Sequence, residues 1–543
     1  MHDSGLPAAI VDLVPADARG GREIGFSVPV RYNASAILFD NLMSAGHRCA
    51  VTGPLGSRTY AELAADACGF GAALLSLGLH RGDRVLLFLD DTPAYPAAIF
   101  GAIRAGLVPL LINTLTPPGL LQFYLADSGA TVAICDAAFI ERFNAEACRN
   151  TKLQAVVVTN GEAPPLGPVR MITAAQWLAR APATLAAADT HRDEMAFWMY
   201  SSGSTGRPKG IVHLQHDMLY THLSYANHLL KLTKNDVCFS VPKIFFAYGF
   251  GNSLTFPFAV GASSVLLPGQ PKPEAVFEAI ARYRPTVFFG LPTLYTALSK
   301  APEAKTADYS SLRLCVSAAE ILAAEVFNGW KQLSSQEILE GLGSSEVLHI
   351  YLSNTAEAKR LGSAGKRVPG YEIGLRDSGG REVSDGEEGI LWVRGDSNAP
   401  CYWRRPDKTA ETMREGGWIY TGDRFVRNAD GFYFFRGRAD DLVKISGQWV
   451  YPLEVELCMA DHPMVRECAV LAMAGADQLT TLKAFVVLND GSSGCEETTR
   501  ALQDYVKSRL LPYKYPRIVD YLQELPKTGS GKIDRQSLLG RVR

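Results

Sequence analysis

Apolar residues recur along the chain at two spacings, and each spacing predicts an element. Residues 83–89 (DRVLLFL), 107–112 and 131–135 are short and almost wholly apolar, as buried strands are. Residues 94–104, alanine-rich and ending before Gly106, and residues 120–127 suit helices. A second set follows, with strands at 262–267, 286–289 and 313–317 and a helix at 273–283. Uniformly apolar strands alternating with helices predict mostly parallel sheets covered on both faces. From about Gly370 the texture changes to short strands between turns (YEIGLRD, GILWVRG, GFYFFRGR), a small antiparallel module. After Asp440 comes a compact α+β pattern: DLVKISG, a helix at 453–460, ECAVLAM, LKAFVVL and a helix at 497–509. The expectation is therefore an α/β chain. A large N-terminal part of several subdomains covers residues 1–439, with its β-rich module near 370–439. A small C-terminal α+β domain covers residues 440–543. No internal repeat or low-complexity segment interrupts this order.

One apolar stretch runs against the pattern. Residues 244–270 carry no charge and are long enough to span a bilayer. Gly249, Gly251, Gly261, Gly269 and Pro257 punctuate it, which suits buried turns and short strands better than a lipid-facing helix, so no membrane insertion is expected. Residues 6–14 are apolar but broken by Asp12 and lack a basic flank, unlike a signal peptide.

Composition narrows the class. The 543 residues suit three or four compact units, and 47% hydrophobic with 20% charged residues excludes large-scale disorder. Lys plus Arg number 54 against 56 Asp plus Glu, so the basic excess of a nucleic-acid binder is missing. Ten cysteines lie scattered with no CxxC pair, the usage of reduced thiols in a cytoplasmic protein, and no zinc site is expected. His213 and His216 form HxxH without a carboxylate at ligand spacing and read as ordinary helix residues.

Residues 200–210, YSSGSTGRPKG, carry the sharpest chemistry. Three glycines, four hydroxyl side chains and two cations, Arg207 and Lys209, occupy eleven positions. Glycine lets backbone N–H groups approach a phosphate, and hydroxyls donate to its oxygens. A Walker loop is excluded because Arg207 and Pro208 separate the second glycine from the lysine. A plain surface loop is the alternative, although FWMY and IVHL on either side place the segment between buried elements.

This segment resembles the phosphate loop of the adenylate-forming superfamily, which includes acyl- and aryl-CoA ligases, luciferases and adenylation domains. Four further segments resemble that superfamily's motifs in its order and spacing: GLGSSE at 341–346, the run from GILWVRG to IYTGD ending at Asp423, GRADDLVKISGQWVYPLEVE at 437–456, and PKTGSGKIDR at 526–535. The resemblance implies an enzyme that joins a carboxylate to the α-phosphate of ATP, expels pyrophosphate, and passes the acyl group to coenzyme A. Ser201, Ser202, Gly203, Ser204, Thr205, Gly206 and Lys209 would hold the β- and γ-phosphates. Glu346, with Thr205, would hold Mg2+, a hard cation that takes oxygen ligands. Asp423 and Arg438 would fix the ribose, a carboxylate accepting from both hydroxyls. Ala318, Ala319, Glu320, Gly341, Leu342, Gly343, Ser344 and Ser345 would border the adenine. Leu342 stands where the family usually has a stacking Tyr, and Ser345 where it has Thr. Lys532 would bridge the attacking carboxylate and the α-phosphate as charge develops. Asp440 would be the hinge of a mobile C-terminal domain, with Lys444 and Gly447 on the face that admits CoA. Taken singly, Glu346 is also a loop acid, Asp423 with Arg438 a surface ion pair, and TGSGK a basic surface loop.

FFAYGFG at 245–251 and VLHIYLSN at 347–354 resemble benzoate- and hydroxybenzoate–CoA ligases more than fatty-acyl ligases. The resemblance implies an aryl pocket lined by Phe246, Ala247, Tyr248, Gly343, His349 and Ile350. Core packing is the alternative for Phe245 and Phe246, and a satisfied structural role for His349. With no carrier domain after Arg543, free CoA is expected as acceptor rather than a carrier protein. An acid of alicyclic or aliphatic type, a membrane anchor and an inactive binding protein are the rivals. A homodimer is compatible with the sequence. Lys532 would be a target for a lysine acetyltransferase and deacetylase, because acetylation removes its charge.

Overall fold

The computed structural model describes residues 28–540 except 166–168, 202–207, 320–321, 440–442, 446–447, 451, 475–479, 511–513 and 529–532. The chain forms two compact units. One comprises Met1–Ile373 with Val393–Tyr420, the other Gly374–Trp392 with Thr421–Arg543. The strands expected as one module at 370–439 are thus distributed over both.

The first unit is built on two large sheets. The seven-stranded sheet runs Arg170–Thr173, Ala155–Thr159, Val132–Asp136, Arg84–Phe88, Val108–Leu111, Met195–Ser201 and Lys209–Leu214. Its pairs are parallel except the last, where Lys209–Leu214 turns back along Met195–Ser201. The nine-stranded sheet runs Lys366–Arg367, Ile350–Ser353, Ile338–Gly343, Leu314–Ala318, Val287–Gly290, Val237–Ser240, Ser263–Val265, Cys49–Gly53 and Gly56–Thr59. Its middle is parallel and both ends are antiparallel. One hydrophobic core draws on both sheets, with Val51 from one and Val85, Ile134 and Phe197 from the other.

Two helices in that core show how sequence sets their approach. Tyr60–Ser76 starts at a capping box: Thr59 Oγ1 accepts from the Glu62 N–H, and the Glu62 carboxylate accepts from the Thr59 N–H. The helix meets Ala94–Arg104 where Gly71 and Gly101 face each other. A Cβ on Gly71 would lie 2.5 Å from the Gly101 carbonyl oxygen, and a Cβ on Gly101 would lie 2.4 Å from that of Ala67. Only glycine lets the two backbones come this close.

The uncharged stretch 244–270 resolves into Ala247–Phe250, a π-type segment Gly251–Thr255 and Phe256–Val260, followed by the strand Ser263–Val265. No described helix is long and apolar enough to cross a membrane. Residues 6–14 lie outside the described residues. His213 and His216 differ from the helical expectation. His213 is on the strand Lys209–Leu214, and His216 precedes the helix Asp217–Thr221. Local pattern misplaced them because pairing with Met195–Ser201 extends the strand through Leu214.

The strands Glu372–Arg376, Glu388–Arg394, Trp418–Arg427, Met413–Arg414 and Tyr433–Arg438 make a small sheet, with Trp418–Arg427 antiparallel to the last two. In the second unit Val465–Ala474, Thr480–Leu488 and Ile518–Tyr521 form a three-stranded sheet. Alternate residues of its first strand, Cys468 and Val470 against Ala469 and Leu471, enter two different cores.

Candidate active site

The strand Lys209–Leu214 gathers the site of the first unit. Ser201 and Lys209 face each other across the antiparallel pair, so the ends of the phosphate-loop segment are held as neighbours. Ser202, Gly203, Ser204, Thr205 and Gly206 lie outside the described residues. Tyr200 donates its hydroxyl to Asp127 at 2.8 Å, fixing the incoming strand. A cleft of about 200 Å³ opens beside Lys209, lined also by Phe123, Asp127, Trp403 and Arg405.

Residues 396–403 lie along the outgoing strand. The Trp403 N–H donates to the Gly210 carbonyl at 2.7 Å, and the Val212 N–H to that of Cys401 at 3.2 Å. This register puts buried Tyr402 against two of the expected residues at once. The Lys209 ammonium lies 4.1 Å from the centre of the Tyr402 ring. The Tyr402 hydroxyl donates to Glu346 Oε1 at 2.8 Å. Burial lowers the Lys209 pKa, and the Glu346 carboxylate opposes that shift. Glu346 Oε2 accepts no hydrogen bond from a described residue.

The loop that carries Glu346 is held from below. Buried His213 contacts the Ser345 carbonyl through Nε2 and Asp217 through Nδ1, each at 2.8 Å. A carbonyl only accepts, so the proton on Nε2 is assigned by its partner. The Glu346 carbonyl accepts from the Ala399 N–H at 2.7 Å. Ser344 opens this short turn, and Leu348 closes it with φ +70°, a left-handed conformation that a leucine rarely adopts.

Ala318 ends the strand Leu314–Ala318 and pairs with Gly341, while Leu342 and Gly343 complete Ile338–Gly343. These are carboxyl ends of parallel strands, where open α/β sheets bind ligands. Ala319 follows with φ +76°, and Glu320 lies outside the described residues. Beneath the strand ends the buried Glu340 carboxyl accepts from the Leu322 N–H at 3.1 Å, and burial pushes its pKa up to about 8.

Gly343 pairs with Ile350, bringing the aryl candidates together. His349 is enclosed by rings: Phe256 at 4.5 Å, Tyr225 at 5.4 Å and Tyr248 at 5.6 Å between centroids. Burial pushes its pKa down to about 3, so the imidazole is neutral. Ala247 is buried where its helix starts, and Phe246 packs half-buried beside Phe245. Phe245 itself is a core residue.

In the second unit Asp423 and Arg438 lie opposite each other on neighbouring strands. Arg438 Nη1 donates to Asp423 Oδ1 at 3.1 Å and to the Thr421 carbonyl at 2.9 Å. Lys444 pairs through its backbone with Trp449 in a two-stranded hairpin. Asp440, Gly447 and Lys532 lie outside the described residues. The chain on either side of residues 528–532 is pinned. Lys527 bridges Ile533, and the Asp534 N–H donates to the Pro526 carbonyl at 2.7 Å. Arg535 grips both oxygens of Glu456, at 2.9 and 2.8 Å.

Residues 39–403 match the AMP-binding enzyme family, and residues 454–532 match the AMP-binding enzyme C-terminal domain. The chain belongs to the AMP-binding enzyme family. It is 40% identical to a benzoate–CoA ligase of Thauera aromatica, over 94% of this chain and 96% of that protein. Its fold matches the crystal structure of the anthranilate CoA ligase AuaEII in complex with anthranoyl-AMP, with a TM-score of 0.89 and 37% identity, covering 95% of this chain and 98% of that one. A benzoate CoA ligase from Burkholderia xenovorans LB400 gives a TM-score of 0.85 and 38% identity, over 93% and 99% of the two chains.

In this AMP-binding enzyme the first unit brings Lys209 and Glu346 to the same Tyr402, sets Tyr248 against His349, and pairs Gly343 with Ile350. Sequence reasoning missed Tyr402, His213, Glu340 and Tyr225. Only Glu340 carried a visible signal, a carboxylate in an apolar strand; the others depend on which strands become neighbours.

Proposed function

We propose that the chain is an AMP-forming aryl–CoA ligase. It joins an aromatic carboxylate, benzoate or a hydroxybenzoate, to ATP, then transfers the aroyl group to CoA. In the first step a carboxylate oxygen attacks the α-phosphorus and diphosphate leaves. In the second the CoA thiol, losing its proton, attacks the aroyl carbonyl and AMP leaves. The observation that carries this reading is a neutral, ring-enclosed His349 next to Ile350, which pairs with Gly343, in a chain alike over nearly its whole length to benzoate–CoA ligases. A neutral, aromatic-walled slot favours a flat apolar ring over an alkyl chain.

Both reactants of the first step are anions, so cations must offset their repulsion. Lys209 supplies one at the phosphate loop and Lys532 another from the C-terminal unit. Glu346 Oε2, which accepts no hydrogen bond from a described residue, together with the hydroxyl of Thr205, suits Mg2+, which when bound neutralises phosphate charge. Asp423 takes the ribose hydroxyls as acceptor, with Arg438 fixing its carboxylate. Asp440 serves as the hinge between a part ending at residue 439 and the C-terminal domain. Ten free cysteines support a reducing, cytoplasmic setting. A homodimer and reversible acetylation of Lys532 fit the same reading.

The test is AMP release from ATP and CoA with a panel of aromatic, alicyclic and aliphatic acids. Benzoate and hydroxybenzoates should turn over fastest with CoA as sole acceptor. Lys532→Ala should abolish benzoate-dependent ATP–pyrophosphate exchange and largely spare thioester formation from presynthesised benzoyl-adenylate. Equal loss of both steps rejects the role given to Lys532, and preference for an aliphatic acid rejects the aryl assignment.

A further inference from the structure

We infer that Tyr402 is a positioning residue that keeps Lys209 and Glu346 from neutralising each other, so that the ammonium stays available for phosphate and the carboxylate for a divalent cation. The inference rests on the nucleotide reading above and goes beyond it, because that reading gives Tyr402 no role.

Three observations carry it. Tyr402 is 3% exposed, so its position is set by packing and not by chance contact. It touches both partners through different chemistry: its ring face takes the Lys209 ammonium at 4.1 Å, and its hydroxyl donates to Glu346 Oε1 at 2.8 Å. A ring face attracts a cation, and a phenol donates to a carboxylate, so one side chain satisfies opposite charges. No ion pair joins Lys209 to Glu346 among the described residues, although the Glu346 carboxylate acts on the Lys209 ammonium and both contact the same side chain. Elsewhere in the molecule lysines do close on nearby carboxylates, as Lys243 does on Asp90 at 2.7 Å.

The backbone makes the arrangement stiff. Tyr402 is bridged to Ile211, and its neighbours Cys401 and Trp403 accept from and donate to the same strand that carries Lys209. Glu346 is tied to the same segment through the Ala399 N–H. The ring therefore stands as a spacer with both ends anchored. Among the described residues, Glu346 Oε2 accepts no hydrogen bond, while Oε1 takes the phenol.

Two substitutions separate the two contacts. Tyr402→Phe keeps the spacer and removes the donor. Tyr402→Leu removes both, and Lys209 can then close on Glu346. Binding is read without turnover: Mn2+ by electron paramagnetic resonance in the presence of ATP, and ATP alone by calorimetry in EDTA. Tyr402→Phe should weaken Mn2+ binding in the ATP complex about tenfold and leave metal-free ATP binding unchanged, the loss typical of a hydrogen bond to a charged group. Tyr402→Leu should also weaken metal-free ATP binding about tenfold, the loss of an ammonium captured by a carboxylate. Adding Glu346→Gln to Tyr402→Leu should restore that metal-free binding, which a merely structural role for Tyr402 does not predict. Unchanged Mn2+ affinity in Tyr402→Phe, or no recovery in the double variant, overturns the inference while leaving the ligase reading intact. Failure of the wild type to bind ATP with Mn2+ overturns both.

Discussion

Gly251 owes its place to volume and not to backbone freedom, since its φ of −60° suits any residue. A Cβ there would stand 2.4 Å from His349 Cδ2, 2.8 Å from its Nε2 and 3.2 Å from Phe256 Cζ. The imidazole thus occupies the space that a side chain at 251 would fill. Gly251→Ala should displace the His349 ring, which lines the proposed aryl slot, because overpacking a closed site costs about 1–3 kcal/mol. The expected outcome is a benzoate KM raised about tenfold or more with the ATP KM nearly unchanged, 1.4 kcal/mol being one decade. Steady-state kinetics on both substrates decides it. A benzoate KM equal to that of the wild type removes His349 from the pocket wall. The residues around this contact were legible to different degrees. FFAYGFG announces rings beside small residues, but that Tyr225 joins them depends on a π-type segment, His222–Leu230, which shifts side chains off the 3.6-residue repeat.

Between elements, a buried acidic group fastens the two large sheets of the first unit. Asp90 and Asp91 follow the strand Arg84–Phe88, and Asp136 ends a neighbouring strand of the same sheet. From the other sheet Lys243 donates to Asp90 at 2.7 Å, the Ile244 N–H to Asp91 at 3.1 Å and the Gly269 N–H to Asp90 at 2.5 Å. Burial pushes Asp91 up to about 7, with Lys243 pulling it down and Asp90 and Asp136 adding to the rise. A carboxyl raised on folding stabilises fully below its unfolded value near 4 and loses that contribution as pH climbs through 7. Asp91→Asn mimics the protonated form at every pH. It should melt close to the wild type near pH 4 and clearly higher at pH 8, by a gap on the order of a few kcal/mol in the wild type's disfavour. Parallel melting curves from pH 4 to pH 8 would falsify the buried-acid account. The elements themselves were easy to read. The helices Ala94–Arg104 and Pro273–Tyr283 fall where the apolar runs put them, and the strands shift by a residue or two. The Thr59–Glu62 capping box was present in the sequence as T-x-x-E and marks a helix that the periodicity did not bring out. His213 went to a strand instead of a helix because pairing outranked local pattern. The sheet-to-sheet fastening was illegible, since three aspartates and a lysine up to 153 residues apart share no local signature.

For the molecule as a whole, the proposed chemistry asks the C-terminal unit for two services in turn, Lys532 during adenylation and the face around Lys444 and Gly447 during thioester formation. The motif order along the sequence is what suggests these services, whereas the compact units depend on which distant strands pair. The described residues tie down the base of the lysine segment. Lys527 and Ile533 close the base of the lysine segment, and Arg535 ties that base to Glu456, which is 8% exposed and also accepts from the Val470 N–H at 2.8 Å. On the proposed mechanism, bringing Lys532 in and withdrawing it falls to a hinge, proposed at Asp440. Proline there fixes φ near −65°, removes the N–H and restricts Ala439 before it. A hinge works by absorbing a change in φ and ψ, so a locked one strands the unit in a single arrangement. Asp440→Pro should therefore slow single-turnover thioester formation from benzoyl-adenylate by about tenfold or more, over one decade of rate. ATP–pyrophosphate exchange with benzoate should stay close to wild type, because adenylation needs no turn of the unit. Wild-type rates in both assays would show that the chain turns elsewhere. Loss of exchange with an intact thioester step would mean that proline had trapped the opposite arrangement, with the same hinge identified from the other side.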